Sequence, residues 1–278
     1  MTGDTALVEK RDEFKRQLAD GEYKVLAAVM LDGTGWLIQT MTRRQMPLPF
    51  WYSGLVITSI SLIIAFGTSI LLAESPTPEM LLISIWGATM GYLVLVVTDV
   101  FSRLFLSRLK DSVVEAIEST ADLESLQNWL TITFDLKKQF IAALLMGLVL
   151  GLATPFVWSA LRGTYSGWGP VVGVALIWFQ GGLGWYFVLP VLVWLTQLDN
   201  YHFKLYAANP SSSEIILRLS DLLNNLVYAG AVLGAIFTLG LIYFQLLNQT
   251  VSILFLVLGT WAPLVILFAN SQYTLARI

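Results

Sequence analysis

The sequence predicts an all-α polytopic membrane helical bundle. It has six transmembrane helices, both termini in the cytoplasm, and amphipathic helices on the cytoplasmic side. Three observations predict this class. Charged residues make up only 13% of the chain and apolar residues 56%, whereas a soluble domain carries about 25% charge. The depletion leaves clean stretches such as 55–73, which holds no charged residue. Such a run fits a hydrocarbon layer about 30 Å thick at about 1.5 Å per helical residue, and it lacks the short alternation of a spanning strand. Finally, basic residues fall on one side of the expected layer.

Two regions follow: a cytoplasmic amphipathic segment over 1–50, and a six-helix transmembrane domain over 51–278 with a cytoplasmic helical insert at 105–136. The first 45 residues hold seven Lys/Arg and seven Asp/Glu, unlike a signal peptide. Up to Met30 they read as an amphipathic helix with Leu7, Phe14, Leu18, Val25 and Val29 as contacts. Gly33 and Gly35 are expected to end it, and 36–38 to lie at the membrane interface.

The expected spans are 52–73, 80–104, 138–160, 169–197, 222–247 and 251–270. The links at 74–79, 162–166 and 248–250 are short and make antiparallel hairpins. Of sixteen Lys/Arg, only Arg162 falls in these links; the other fifteen place both termini inside. Trp51, Tyr52, Trp158, Trp168, Trp194 and Tyr273 lie at span ends, where aromatic rings anchor at the interface.

In the insert, Leu106, Leu109, Val113, Ala116 or Ile117, Leu123, Leu126 and Leu130 recur at helical spacing. A helix is expected to restart at Thr120, its hydroxyl capping and Asp122 and Glu124 favouring the positive end. Ser211 and Glu214 have capping-box spacing, so the fifth long helix starts in the cytoplasm after an elbow at 201–209.

The chemistry that is missing argues against an enzyme. The absence of cysteine excludes disulfides, thiolate metal sites and a cysteine nucleophile. His202 is the one histidine and reads as an ordinary surface residue. No cofactor is implied, and no basic cluster points to nucleic acid.

Three features of the spans bear on function. Thr58, Ser61 and Thr68, with Gly54 and Ala65, share one face of the first span; Ser84, Gly91 and Thr98 share one face of the second. These faces either line a polar path or pack against another helix. Asp99 is an acidic residue inside a span, with Arg103 one turn later: a structural pair, or a charge site at the mouth of a pore. Gln180, Gly181, Gly182 and Gly184, followed by Pro190, mark a kinked or broken helix: a kink accommodated by neighbouring helices, or a break of the kind that binds substrates in transporters; Pro155 and Pro263 are further kink positions. Four glycine pairs at four-residue spacing, 87/91, 147/151, 169/173 and 230/234, point to close helix packing within one subunit or between subunits.

The leading expectation is a self-associating channel or pore subunit of the cell membrane, gated from the cytoplasmic side. The alternatives are a non-conducting scaffold or signalling anchor that binds a cytoplasmic protein through 1–30 and 105–136, and a secondary transporter with its site at the fourth-helix break. The expected partners are the lipid bilayer and further copies of the chain.

Overall fold

In a computed structural model, residues 2–42, 49–71, 78–162, 171–195, 197, 200–203, 214–243, 265, 266 and 269 are described. Among them the fold is helical, with no strand beyond an isolated bridge between Ile117 and Phe203. The helices are α1 (Thr2–Ala19), α2 (Leu26–Thr42), α3 (Pro49–Leu71), α4 (Pro78–Arg108), a π-helical turn (Leu109–Val113), α5 (Val114–Ala116), α6 (Thr120–Thr133), α7 (Leu136–Arg162), α8 (Val171–Leu195) and α9 (Glu214–Tyr243). Pro49 and Pro78 open their helices, where proline's missing N–H is no loss.

Among the described residues, three helical stretches are long and apolar enough to cross a membrane: Ser84–Ala116, Leu136–Ala153 and Val171–Val191. Ser53–Thr68 within α3 and Val227–Gly240 within α9 are shorter apolar stretches. Five of the six expected spans therefore coincide with helices, and three of those five contain a described stretch both long and apolar enough to cross. The sixth, 251–270, lies outside the described residues except for 265, 266 and 269. So do residues 74–77 of the first link, 163–166 of the second and 248–250 of the third, the aromatic positions 168 and 273, Ser211 of the capping box, Gly169 and Pro263.

The N-terminal expectation needs correction. The chain breaks at Gly21, not at Gly33 and Gly35. Gly21 takes φ +72°, a left-handed conformation that glycine adopts without a Cβ clash. Gly33 and Gly35 instead sit inside α2, and Gly35 is buried where α2 packs on its neighbours. Phe14, Leu18 and Val25 are buried as expected, but Val29 is exposed.

α1 lies on the insert. Phe14 and Leu18 join Leu109, Val113, Ile117, Leu123, Leu126 and Leu130 in one core. Tyr23 stands edge-on to Phe14 and Phe134, with centroids 6.4 and 5.9 Å away. Lys10 pairs with Glu124, Lys15 with Glu115, and Arg11 donates to the Ile117 carbonyl at 2.8 Å. α6 restarts at Thr120 as expected, but Ser119 occupies the cap and no side chain caps the turn. Asp122 is engaged elsewhere: one of its oxygens accepts the His202 backbone N–H at 2.9 Å and lies 3.0 Å from His202 Nδ1. The elbow is thus tied to the insert, since Glu118 N–H also donates to the His202 carbonyl.

Aromatic rings join the insert to α8. Phe105 meets Trp194 edge-on at 5.7 Å, and Trp129 stacks on Trp194 at 5.3 Å. Trp194, expected as an interface anchor, is fully buried in this stack.

α7, α8 and α4 pack side by side through small residues. A Cβ added at Gly147 would lie 2.6 Å from the Ala175 carbonyl oxygen, and one at Gly151 would lie 2.6 Å from Ala175 Cβ. On the other side of α8, Gly87 faces Ile177 and Gly91 faces Gln180. Both pairs pack within one chain, the first of the two expected alternatives. The outer face of α7 carries the large residues Ile141, Leu145, Leu148, Leu152 and Phe156, all exposed.

Candidate functional site

The residues singled out in the spans converge on α8, which is pressed between α7 on one side and α3 and α4 on the other. The centre of this seam is Gln180, which is buried. Its Nε2 donates to Ser61 Oγ of α3 at 3.3 Å. The Ser61 hydroxyl in turn donates to the Ile57 carbonyl at 3.0 Å. The Gln180 Oε1 lies against the Cα of Gly91: a Cβ there would sit 1.9 Å from it. Gln180 Oε1 and Thr58 Oγ1 are both buried without a hydrogen-bond partner. A buried amide or hydroxyl left unpaired costs about 1–3 kcal/mol, so two of them in one seam mark the polar spot of the bundle.

The Gly-Gly-Leu-Gly sequence does not break the helix. α8 runs continuously from Val171 to Leu195 with Pro190 inside it, and α7 likewise runs through Pro155. Of the two expectations for this stretch, an interruption of the helix is therefore not seen. The glycines serve close approach on different sides. Gly182 faces α7, where an added Cβ would lie 2.8 Å from Ala143 Cα; Gly184 faces α4, 2.7 Å from Val94 Cγ1 and 3.2 Å from Thr98 Oγ1. Gly181 meets no neighbouring helix, only Trp178 of its own at 3.7 Å. Two glycines thin α8 where α7 and α4 approach it.

The stripe residues divide. Ser61 and Thr98 are buried in the seam, Thr58 is half-buried, and Ser84 is half-buried on α4. Thr68 is at the far end of α3, where its hydroxyl donates back to the Ile64 carbonyl at 2.9 Å. Gly54 receives the Tyr92 ring, which an added Cβ would meet at 2.0 Å. Ser61 of α3 and Thr98 of α4 thus face the inside of one chain, and the outer members of the stripes do so only in part.

Asp99 forms the expected pair. Its Oδ1 accepts Arg103 Nε at 2.8 Å, and its side chain is 4% exposed against 60% for Arg103. The sequence did not reveal a third member: Asp32 of α2 lies 3.5 Å from Arg103 Nη2. Nor did it reveal Gln139, which is buried at the start of α7. Gln139 Oε1 accepts the Leu26 N–H at 2.6 Å, and its Nε2 donates to the Thr133 carbonyl at 3.3 Å. It fastens the start of α2 and the end of α6 to α7. Asp135 just before it accepts the Lys137 and Lys138 N–H groups, capping α7. An aspartate two residues before a lysine pair, at the head of an apolar run, is a signal that a search for helix starts can find.

Among the described residues, no three His, Asp or Glu side chains are grouped so as to hold a metal ion. The chain matches no protein-family model, no curated protein and no solved structure.

Proposed function

We propose that this protein is a non-catalytic membrane anchor of six spans with both termini in the cytoplasm, and that α1 with the insert forms its cytoplasmic docking module. The observation that carries this reading is the direction of the polar stripes. A pore assembled from several copies needs a polar face on the outside of each protomer. Here Ser61, Thr98 and Gln180 are buried within one chain, while the outer face of α7 is apolar. The module, by contrast, packs α1 onto the insert and presents the polar residues Glu124, Ser125 and Asn128 on the exposed face of α6. Fifteen of sixteen basic residues support the cytoplasmic side for it.

A photo-crosslinker at Ser125 or Asn128 should capture one recurring soluble protein in cells, and the same probe at Leu148 on α7 should not. Gly163→Cys should label from outside intact cells, and Ser125→Cys should not. Capture of nothing at the module, combined with cation flux by the purified protein in liposomes, would replace this reading by a second one.

That second reading is the self-associating channel. Its support is the pair of unpartnered oxygens on Thr58 and Gln180, which hydration of the seam would satisfy. In that case Asp99→Asn lowers cation preference at low ionic strength, where a fixed charge is least screened. The third expectation, a transporter site at 180–190, draws no support from an interrupted helix, because α8 is continuous.

A further inference from the structure

We propose that α2 is an interfacial helix, laid against the bilayer with Trp36, Leu37 and Met41 immersed at the boundary between headgroups and acyl chains. The inference starts from an inversion of side-chain size around this helix. The buried face carries Ala27, Ala28, Leu31 and Gly35. The exposed face carries Trp36, Leu37 and Met41 beside Asp32 and Thr40, and Met41 is 77% exposed. A face that met water alone would not carry three large apolar side chains, and an interface accommodates both kinds. α7 shows the same inversion, with Ala143, Gly147 and Gly151 inside and leucines outside. One solvent, the lipid, accounts for both.

The placement of α2 fits this depth. Its first N–H is held by Gln139 at the start of α7, and Asp32 meets Arg103 towards the end of α4. It packs chiefly on α3, less on α4, and also touches α7 and α8. Its 17 residues span about 25 Å, short of a crossing for a segment that also holds Asp32. Thr40 and Thr42 are exposed, and their hydroxyls are satisfied by the carbonyls of Trp36 and Ile38 at 2.8 Å, so this end asks little of water. The next two residues in sequence, Arg43 and Arg44, bring positive charge towards anionic headgroups. Interfacial helices of this kind bury their apolar face about 5–10 Å into the boundary.

The proposal rests on reading α7 as a span, and not on the anchor function. The absence of native cysteine makes the test direct. Met41→Cys, Leu145→Cys and Ser125→Cys are each labelled with an environment-sensitive fluorophore on the full chain, in phosphatidylcholine vesicles with or without phosphatidylglycerol. The label at Met41 should shift to the blue and lose most of its emission to lipids brominated near the headgroup, and less to lipids brominated deep in the chain. The label at Leu145 should show the deeper preference, and the label at Ser125 should not be quenched. An unquenched Met41 label beside a quenched Leu145 label overturns the proposal alone. Energy transfer between Met41 labels on different copies, without lipid quenching, also overturns it, because a second copy then covers the face. Loss of quenching at both Met41 and Leu145 overturns the span reading together with the proposal.

Discussion

The insert module and the α7–α8 seam are built from opposite choices of side chain. In the module the large residues point inward. Phe14, Phe105, Ile117, Leu123, Leu126 and Leu130 are buried, and the charges of Lys10, Lys15, Glu115 and Glu124 lie outside in exposed pairs. In the seam the small residues point inward, and the large ones of α7 point out. Water drives the first arrangement, because apolar area removed from it is worth about 25 cal/mol per Å². Lipid removes that drive between helices, since its tails are as apolar as leucine. What holds the seam is then contact between backbones, and glycine sets how close they come. The contrast is evidence for two solvents acting on one chain.

The largest effect expected from this contrast is at Gly151. Gly151→Leu forces a branched side chain into Ala175, whose Cα lies only 3.0 Å from where a Cβ at Gly151 would sit. Overpacking costs about 1–3 kcal/mol where side chains can give way. Here backbone must move, so the variant should fail to elute as a single folded species in detergent. Normal elution and unchanged thermal unfolding would mean that α7 and α8 are not in backbone contact.

Leu126→Ala comes next. Leu126 is fully buried in the module, and a Leu→Ala change in a water-excluded core costs about 2–5 kcal/mol. Leu148→Ala on the outside of α7 removes the same atoms, yet should change stability by about 0.5 kcal/mol or less. Proteolysis of the module at graded denaturant, alongside unfolding of the whole chain, measures both. Equal losses at the two positions would erase the distinction between the regions.

Asp99→Asn should be milder. The amide keeps the shape and an acceptor for Arg103, which is mostly exposed and retains Asp32. The expected cost is about 1 kcal/mol or less, read as a small drop in the unfolding temperature. A collapse of folding would assign Asp99 a larger role in the core than this geometry provides.

The smallest effect is a pH dependence at Tyr23. Burial pushes its phenol above the ordinary 10.0, partly offset by hydrogen bonding with Thr131 and Gln127. The folded state therefore holds this proton longer than the unfolded state does. The associated stability is complete below pH 10.0 and is lost as pH rises through the raised folded value. Tyr23→Phe lowers stability at neutral pH by about 1 kcal/mol through lost hydrogen bonding, and the gap to wild type should narrow in alkali. A constant gap would mean that Tyr23 stays hydrated.

The parts of this design that depend on local sequence were legible in advance. Runs without charge located five helices, the restart at Thr120 followed from its flanking acids, and Arg103 one turn after Asp99 announced their pair. The parts that depend on which neighbour arrives were not. Gly21, Gly33 and Gly35 are alike in sequence; only the first takes a left-handed turn, because α1 must double back onto the insert. Gln180-Gly181-Gly182-Leu183-Gly184 reads as a break until α7 and α4 are placed on either side of α8. Gln139 is a polar residue in a sequence full of ordinary ones, and its role exists only once three helix ends meet around it. The π-helical turn at Leu109–Val113 gave no sequence signal that we can identify.

The claim that two solvents shape this chain is tested most directly by spin labels scanned along α6 and α7 in lipid nanodiscs, with oxygen and a water-soluble nickel chelate as competing relaxers. The account predicts that labels at Ile141, Leu145, Leu148 and Leu152 respond to oxygen and are shielded from nickel. Labels at Ala121, Glu124, Ser125 and Asn128 should respond to nickel. Nickel access at Leu145 and Leu148 equal to that at Ser125 would contradict it, and α7 would then face water.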